Sequence, residues 1–460
     1  MTLNRRNFLG SMGLGSAGAA LGLPALAAAE TTDRITLADI RGSFNANQSG
    51  LRPGAIDDQG KLLQKILNSA AEADKPVFLP PGNYFVSNIV LPSKTRLMGV
   101  PGASRLIYTG GGHFLMSENG SHIELTGLVL DGANRGLQSY AGAALRVVNA
   151  SHLVIENCQI SGSLEIGLQV DRSQGRIERC EISGAAGECG IYGIENKGLL
   201  IAHNHVHDCA NGGILVHRWK TGDDGTIISN NRIERIGAVN GGTGQWGNGI
   251  NVYRADSVMI ANNQVKDCAF SAIRSNSGNN VQITANQCLR SGEAAIYSEF
   301  EFNGAVITNN VIDGGCRGIS IANFNRNGRM AICANNLIRN IHDNPPYEDK
   351  DHLFGEGISA EAETTITGNV IENTAQFGMI LGWGEYLRNV IVTSNVIRDT
   401  KIGIYVTVVE GTGPAVISQN LFSKIREGAI IGYRWQEPAT DDLIGGGSIP
   451  NIQIERNQTS

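Results

Sequence analysis

The sequence predicts an all-β solenoid, a parallel β-helix. Two observations carry this. First, the pattern N-x-[I/V/C/F] recurs at Asn204, Asn231, Asn263, Asn286, Asn310, Asn336, Asn369, Asn395 and Asn420, with Cys158 and Cys180 in the same slot of two earlier coils. The spacing runs from 22 to 33 residues. A repeat of that length without helical periodicity marks a solenoid. Second, each Asn follows an alternating apolar run and precedes, after a loop, the motif G-I-x-V. Alternation means strands, so each coil holds three short strands. Stacked coils would bring the Asn side chains into one hydrogen-bonded ladder at a bend.

From the amino terminus, Asn4-Arg5-Arg6-Asn7-Phe8-Leu9 leads into a Gly/Ala/Leu-rich stretch as far as Leu23. Ala25-Leu26-Ala27-Ala28-Ala29 then offers two A-x-A sites. Residues 1–29 read as a twin-arginine export signal, cleaved after Ala27 or Ala29. The expectation is a periplasmic protein that meets the twin-arginine machinery during export. Residues 30–56 read as an irregular leader. Over 57–74, Leu62-Leu63, Ile66-Leu67 and Ala70-Ala71 recur at helical spacing behind the N-cap candidates Asp57-Asp58. A solenoid end exposes unpaired strand edges, and this helix is placed to cover them. Less regular coils follow over 76–150, and regular coils over 151–457. A solenoid core grows in one dimension, so 57–460 is read as one domain.

Composition excludes several classes. There are 37 basic and 43 acidic residues. Loss of the signal removes Arg5 and Arg6 and makes the balance more acidic, so no nucleic-acid partner is expected. The mature chain lacks an apolar run of about 18 residues, so no membrane span is expected. All eight cysteines lie between Cys158 and Cys333. Five of them occupy repeat positions, which reads as small buried residues. Cys158 and Cys180, one coil apart, lie within reach of a disulfide.

Asp57-Asp58, Leu63-Gln64 and Ile66, followed by Val77-x-Leu79-Pro80-Pro81-Gly82-x-Tyr84, resemble the opening of the pectate-lyase-like superfamily. That resemblance implies a single-stranded right-handed parallel β-helix, pectin-lyase-like, of about 13–14 coils. With the twin-arginine leader and the repeats, the chain resembles a bacterial family of twin-arginine-translocated repeat proteins to which no activity is assigned. The superfamily contains polysaccharide lyases, hydrolases, epimerases and non-catalytic members, so the fold does not settle the function.

In G-I-x-V the Ile and Val point inward and the alternate positions outward. The outward positions from His217 to Glu299 are His217, Asn251, Tyr253, Arg274, Asn276, Tyr297 and Glu299. These residue types bind and transform sugars. Long insertions at Arg218–Gly225, Gly237–Gly247 and His342–Glu356 flank the same strands, and functional residues concentrate in such loops. They carry Trp219 and Trp246, suited to stacking on sugar rings. The leading expectation is a lyase or epimerase acting on an acidic polysaccharide. Arg274 would neutralise the sugar carboxylate, with Arg218 and Arg254 nearby. His217 or Tyr253 would move the ring proton, and Glu299 completes the catalytic set. Asn251, Asn276, Tyr297 and the two tryptophans would bind substrate.

Two alternatives stand beside this reading. One is a non-catalytic glycan-binding or envelope-structural protein using the same groove. The other is a glycoside hydrolase, which needs two carboxylates. Glu299 and Glu301 would lie about 6.7 Å apart along one strand, and Glu299 and Glu361 about 9.6 Å apart across two coils. His203-Asn204-His205-Val206-His207 invites a metal reading. Periodicity speaks against it, since Asn204 sits at the bend, although His205 and His207 can share a face. No cofactor is expected.

Overall fold

The computed structural model describes residues 42–241, 244–323, 327–348, 353–445 and 449–460. The expected signal, residues 1–29, lies outside the described residues. One coil shows the plan. Leu200–Ala202, His205–His207 and Gly212–Asp223 are its three strands. Each lies parallel and in register on the next coil: Ile201 on Ile228, Val206 on Ile233, Ile214 on Ile250. The chain winds as a right-handed parallel β-solenoid of about 13 turns. The first ladder joins 16 strands, from Phe44–Asn45 to Ile452–Glu455. The other two merge towards the carboxyl end, where Val370–Leu381, Val396–Thr407 and Leu421–Arg434 run through both. Inward Ile, Val and Leu form one core along the axis.

The Asn ladder forms as a repeating unit. The backbone N–H of Asn310 donates to Oδ1 of Asn336, and Nδ2 of Asn310 donates to that oxygen and to the Ile283 carbonyl. The same bonds recur from Asn204 to Asn420. Asn457 adds one further rung, accepting from Asn420. It escapes the sequence pattern because Thr459 replaces the apolar residue. The residue before each rung is left-handed, as at Asn230, Asn262, Asn309 and Asn335. Asn tolerates that conformation better than other side chains, which explains the Asn-Asn doublets. His203 occupies this slot with φ 58°.

The glycine of G-I-x-V answers to close packing. A Cβ on Gly318 would stand 2.2 Å from the Gly357 carbonyl, and one on Gly213 2.3 Å from that of Gly249. The next coil's backbone fills the space a side chain would need.

The capping helix spans Gly60–Glu72, shorter at both ends than 57–74. Asp58 accepts the Gly60 N–H at 2.7 Å, while Gln59 occupies the N-cap. Leu63, Ile66, Leu67 and Ala70 are buried. Gln64 completes the cover: its amide donates to the Val90 carbonyl and its oxygen accepts the Val90 N–H. One side chain thus pairs the strand edge as a neighbouring strand would. The leader read as irregular contributes a strand, Phe44–Asn45, paired with Val77–Phe78. At the other end Glu437–Asp442 folds back antiparallel on Leu421–Arg434. All eight cysteines are buried thiols, so the reachable Cys158–Cys180 bridge is not formed. Among the described residues no helix is long and apolar enough to cross a membrane.

Candidate functional site

Register makes the G-I-x-V ladder into two outward columns. One runs through Tyr192, Leu215, Asn251, Arg274, Tyr297 and Ser320. The other runs through Ile194, His217, Tyr253, Asn276 and Glu299. The sequence-chosen residues therefore share one face. Two cavities open on it and meet at Phe300. The first, about 770 Å³, is lined by Glu188, Tyr192, His217, Trp219, Tyr253 and Arg254, among others. The second, about 380 Å³, has Tyr297, Arg317, Glu356, Glu361 and Trp383 in its wall.

His217 is the centre of the first cavity. Its Nδ1 lies 2.7 Å from the Tyr192 hydroxyl. Its Nε2 is buried and has no hydrogen-bond partner among the described residues. Burial lowers its pKa and raises that of Tyr192, so both groups are neutral at pH 7. The Tyr253 ring meets the imidazole edge-on at 4.8 Å, and Trp219 lies 4.6 Å away. The Arg254 guanidinium stands 4.8 Å from the Tyr253 ring and donates to the Trp219 carbonyl. It makes no ion pair among the described residues.

Arg274 differs from the expectation. Its Nε and Nη2 both lie 2.7 Å from Glu299 Oε1, and Asn276 donates to the same oxygen at 2.8 Å. Tyr297 stacks against its guanidinium at 5.1 Å. Gly244 of the flanking loop packs on it so closely that a Cβ there would stand 2.8 Å from Nη1. Arg274 is therefore already neutralised, and Glu299, 2 % exposed, is shut beneath it. The two lie diagonally on adjacent coils, near enough for charge-assisted hydrogen bonds.

Other expected residues divide. Asn251 lines the first cavity and donates to the Gln245 carbonyl. Asn276 lines it while bound to Glu299. Tyr297 belongs to the second cavity. Arg218 is tied to Glu195 at 2.9 Å and faces Asp224 at 3.7 Å, which anchors its loop rather than a ligand. Trp246 is half-buried and outside both linings, where Gly244 and Gln245 stand instead. Glu301 is exposed beyond the strand end at Glu299, so it does not pair with Glu299 across a cavity.

Two residues escaped the sequence reading. Tyr192 did so because Gly193 replaces the usual Val and blurs the register of that coil. Glu356 did so because it precedes the motif's glycine. It is buried beside Arg317, whose Nε lies 3.1 Å away, and burial pushes its pKa up to about 7. Its Oε2 has no hydrogen-bond partner among the described residues. The signal available was an acidic residue one coil after Arg317 and one coil before Phe377 in the same column.

Residues 104–233 and 221–388 match the family model described as right-handed beta helix region. Residues 43–122 match one described as rhamnogalacturonase A/epimerase, pectate lyase-like. No curated protein matches the chain. Among solved structures, pre-mature gene product 12 of bacteriophage phi29 is similar at 15% identity and a TM-score of 0.49, over 85% of this chain and 55% of that one. The chain thus spans little more than half of that protein. The catalytic unit of a GH87 alpha-1,3-glucanase from Streptomyces thermodiastaticus is 13% identical, over 91% and 69% of the two chains, with a TM-score of 0.45. DFA-IIIase from Arthrobacter chlorophenolicus A6 in complex with GF2 is 13% identical, over 82% and 93%, with a TM-score of 0.47.

Proposed function

The chain belongs to the right-handed β-helix family, and within it we propose an exported periplasmic protein that acts on an acidic polysaccharide as a lyase or epimerase. The observation that carries this reading is Arg254, a cation with no acidic partner among the described residues, set beside Tyr253 and His217 in an open aromatic cavity. Arg254 takes the part first expected of Arg274. Its guanidinium would meet the sugar carboxylate, through two parallel bonds where geometry allows. Neutralising that carboxylate makes the C5 proton removable.

His217 is the base. Its Nδ1–H donates to the Tyr192 hydroxyl oxygen, burial keeps the imidazole neutral, and Nε2, buried without a hydrogen-bond partner among the described residues, would take the proton once substrate displaces the side chains that cover it. Tyr253 is the acid. In elimination the C5–H bond breaks, its electron pair forms the C4–C5 double bond, and the C4–O bond breaks with a proton passing to the leaving oxygen. In epimerisation a proton returns to C5 from the opposite face. Trp219 offers a stacking surface, and the second cavity extends the groove for further sugar units. The same groove without turnover is the second reading, favoured by Glu299 being sealed under Arg274. Twin-arginine export remains part of the proposal.

The test compares binding of galacturonate and neutral galactose oligomers by calorimetry. Arg254→Ala should lose at least tenfold in affinity for the acidic oligomers and leave any neutral binding unchanged. Equal losses for both, or none, would overturn the assignment of Arg254.

A further inference from the structure

We propose that Glu181, His205 and His207 form a binding site for a divalent transition ion of the zinc class, on the strand ladder that follows the Asn bend and apart from the groove. His205 and His207 are alternate residues of the strand His205–His207 and so share its outer face. Glu181 lies directly beside His205 in the preceding coil. One nitrogen from each imidazole and one Glu181 oxygen all lie within 4.8 Å of one another. The imidazole rings are 4.1 Å apart, and His207 Nε2 is 3.2 Å from Glu181 Oε1.

The surroundings select these three. His207 Nδ1 is 2.5 Å from Asp208 Oδ2. Arg235 donates to both oxygens of Asp208, which keeps it a carboxylate that can only accept. Asp208 thus holds the imidazole by Nδ1, while Nε2 faces Glu181 Oε1 at 3.2 Å, where an ion would take the place of the Nε2 proton. A carboxylate fixing the far nitrogen of an imidazole is the arrangement that orients metal-bound histidines. Glu234 also touches His205, at 3.0 Å, but it is already held by Lys266, Arg235 and Arg232. Glu181 meets no Lys or Arg among the described residues, only the Gln159 amide and His207. It is the carboxylate available to a cation.

Donors of a tetrahedral zinc site with bonds of about 2.0–2.1 Å lie roughly 3.3 Å apart. Glu181, whose side chain is 45% exposed, is free to turn towards the two imidazoles. Water would fill the fourth position. Two nitrogens and one oxygen suit zinc, cobalt and nickel better than calcium or magnesium. Ligands from two successive coils also mean that the ion clamps them together.

The test is calorimetric titration of the untagged mature protein with Zn²⁺, alongside the visible absorption of bound Co²⁺. One equivalent should bind, with a rise in melting temperature. His205→Gln, His207→Gln and Glu181→Gln should each weaken binding at least tenfold, and Asp208→Asn by about 10–100-fold. His203→Gln should bind as the wild type does. Circular dichroism of each variant establishes that it folds. The proposal is overturned if no saturable one-to-one binding occurs, or if binding survives in a folded His205→Gln/His207→Gln double variant. Because none of these residues lines the groove, failure here leaves the glycan reading standing, and loss of glycan binding leaves this site standing.

Discussion

Truncating Asn310 to Ala removes one rung from the middle of the ladder. Asn310 Oδ1 accepts the Asn286 backbone N–H at 3.0 Å and the Asn286 Nδ2 at 3.1 Å. Its own Nδ2 reaches the Ile283 carbonyl and Asn336 Oδ1, both at 3.0 Å. After truncation Asn286 Nδ2 keeps the Ile260 carbonyl, and the Asn310 backbone N–H keeps Asn336. The Asn286 backbone N–H keeps nothing. A buried donor without a partner costs about 1–3 kcal/mol, and lost packing adds to it, so about 2–3 kcal/mol is expected. Gln282→Ala, on the exposed face of the first ladder, should cost within about 0.5 kcal/mol. Asn327, an exposed loop residue, is a poor reference because its φ is 59°, and Ala there costs about 1 kcal/mol for conformation alone. Urea midpoints followed by circular dichroism compare the variants. Equal midpoints for Asn310→Ala and Gln282→Ala would refute the idea that the ladder stabilises the coils.

Two further outcomes are expected. Replacing Arg5-Arg6 by Lys-Lys should leave precursor in the cytoplasm, since twin-arginine export needs the pair; normal periplasmic accumulation on fractionation would contradict this. Burial raises the pKa of Glu356 from 4.5 to about 7, so between those values the folded state holds a proton that the unfolded chain has released. Its contribution to stability is then full below about pH 4.5 and falls as pH rises through 7, by up to about 3 kcal/mol. Glu356→Gln should flatten the dependence of stability on pH across that window, and an unchanged slope would count against the burial argument.

The ladder and the outward columns were legible in the sequence because strand side chains alternate strictly and every coil keeps the same register. That is enough to place His217, Tyr253, Arg274 and Glu299 on one face. It is not enough to say which of them is free. Arg274 and Glu299 lie in different columns and different coils, and their contact depends on side-chain direction that spacing does not carry. Tyr192 was hidden by a glycine in the Val slot, and Glu356 by standing one residue ahead of the motif. In the histidine run, periodicity sends His203 to the bend, where it stands with φ 58°; that Glu181 lies beside His205 depends on the register between coils, which spacing within one coil does not carry.

The central claim is that the groove removes the C5 proton of a uronic acid. Proton NMR of uronic-acid polymers incubated with the mature protein in D₂O tests it for elimination and epimerisation together, because both break the same bond. The account predicts that the C5 proton signal of at least one polymer disappears with the wild type and persists with folded His217→Ala. A C5 signal that stays intact in a polymer shown to bind would contradict it and make the protein a glycan binder without turnover.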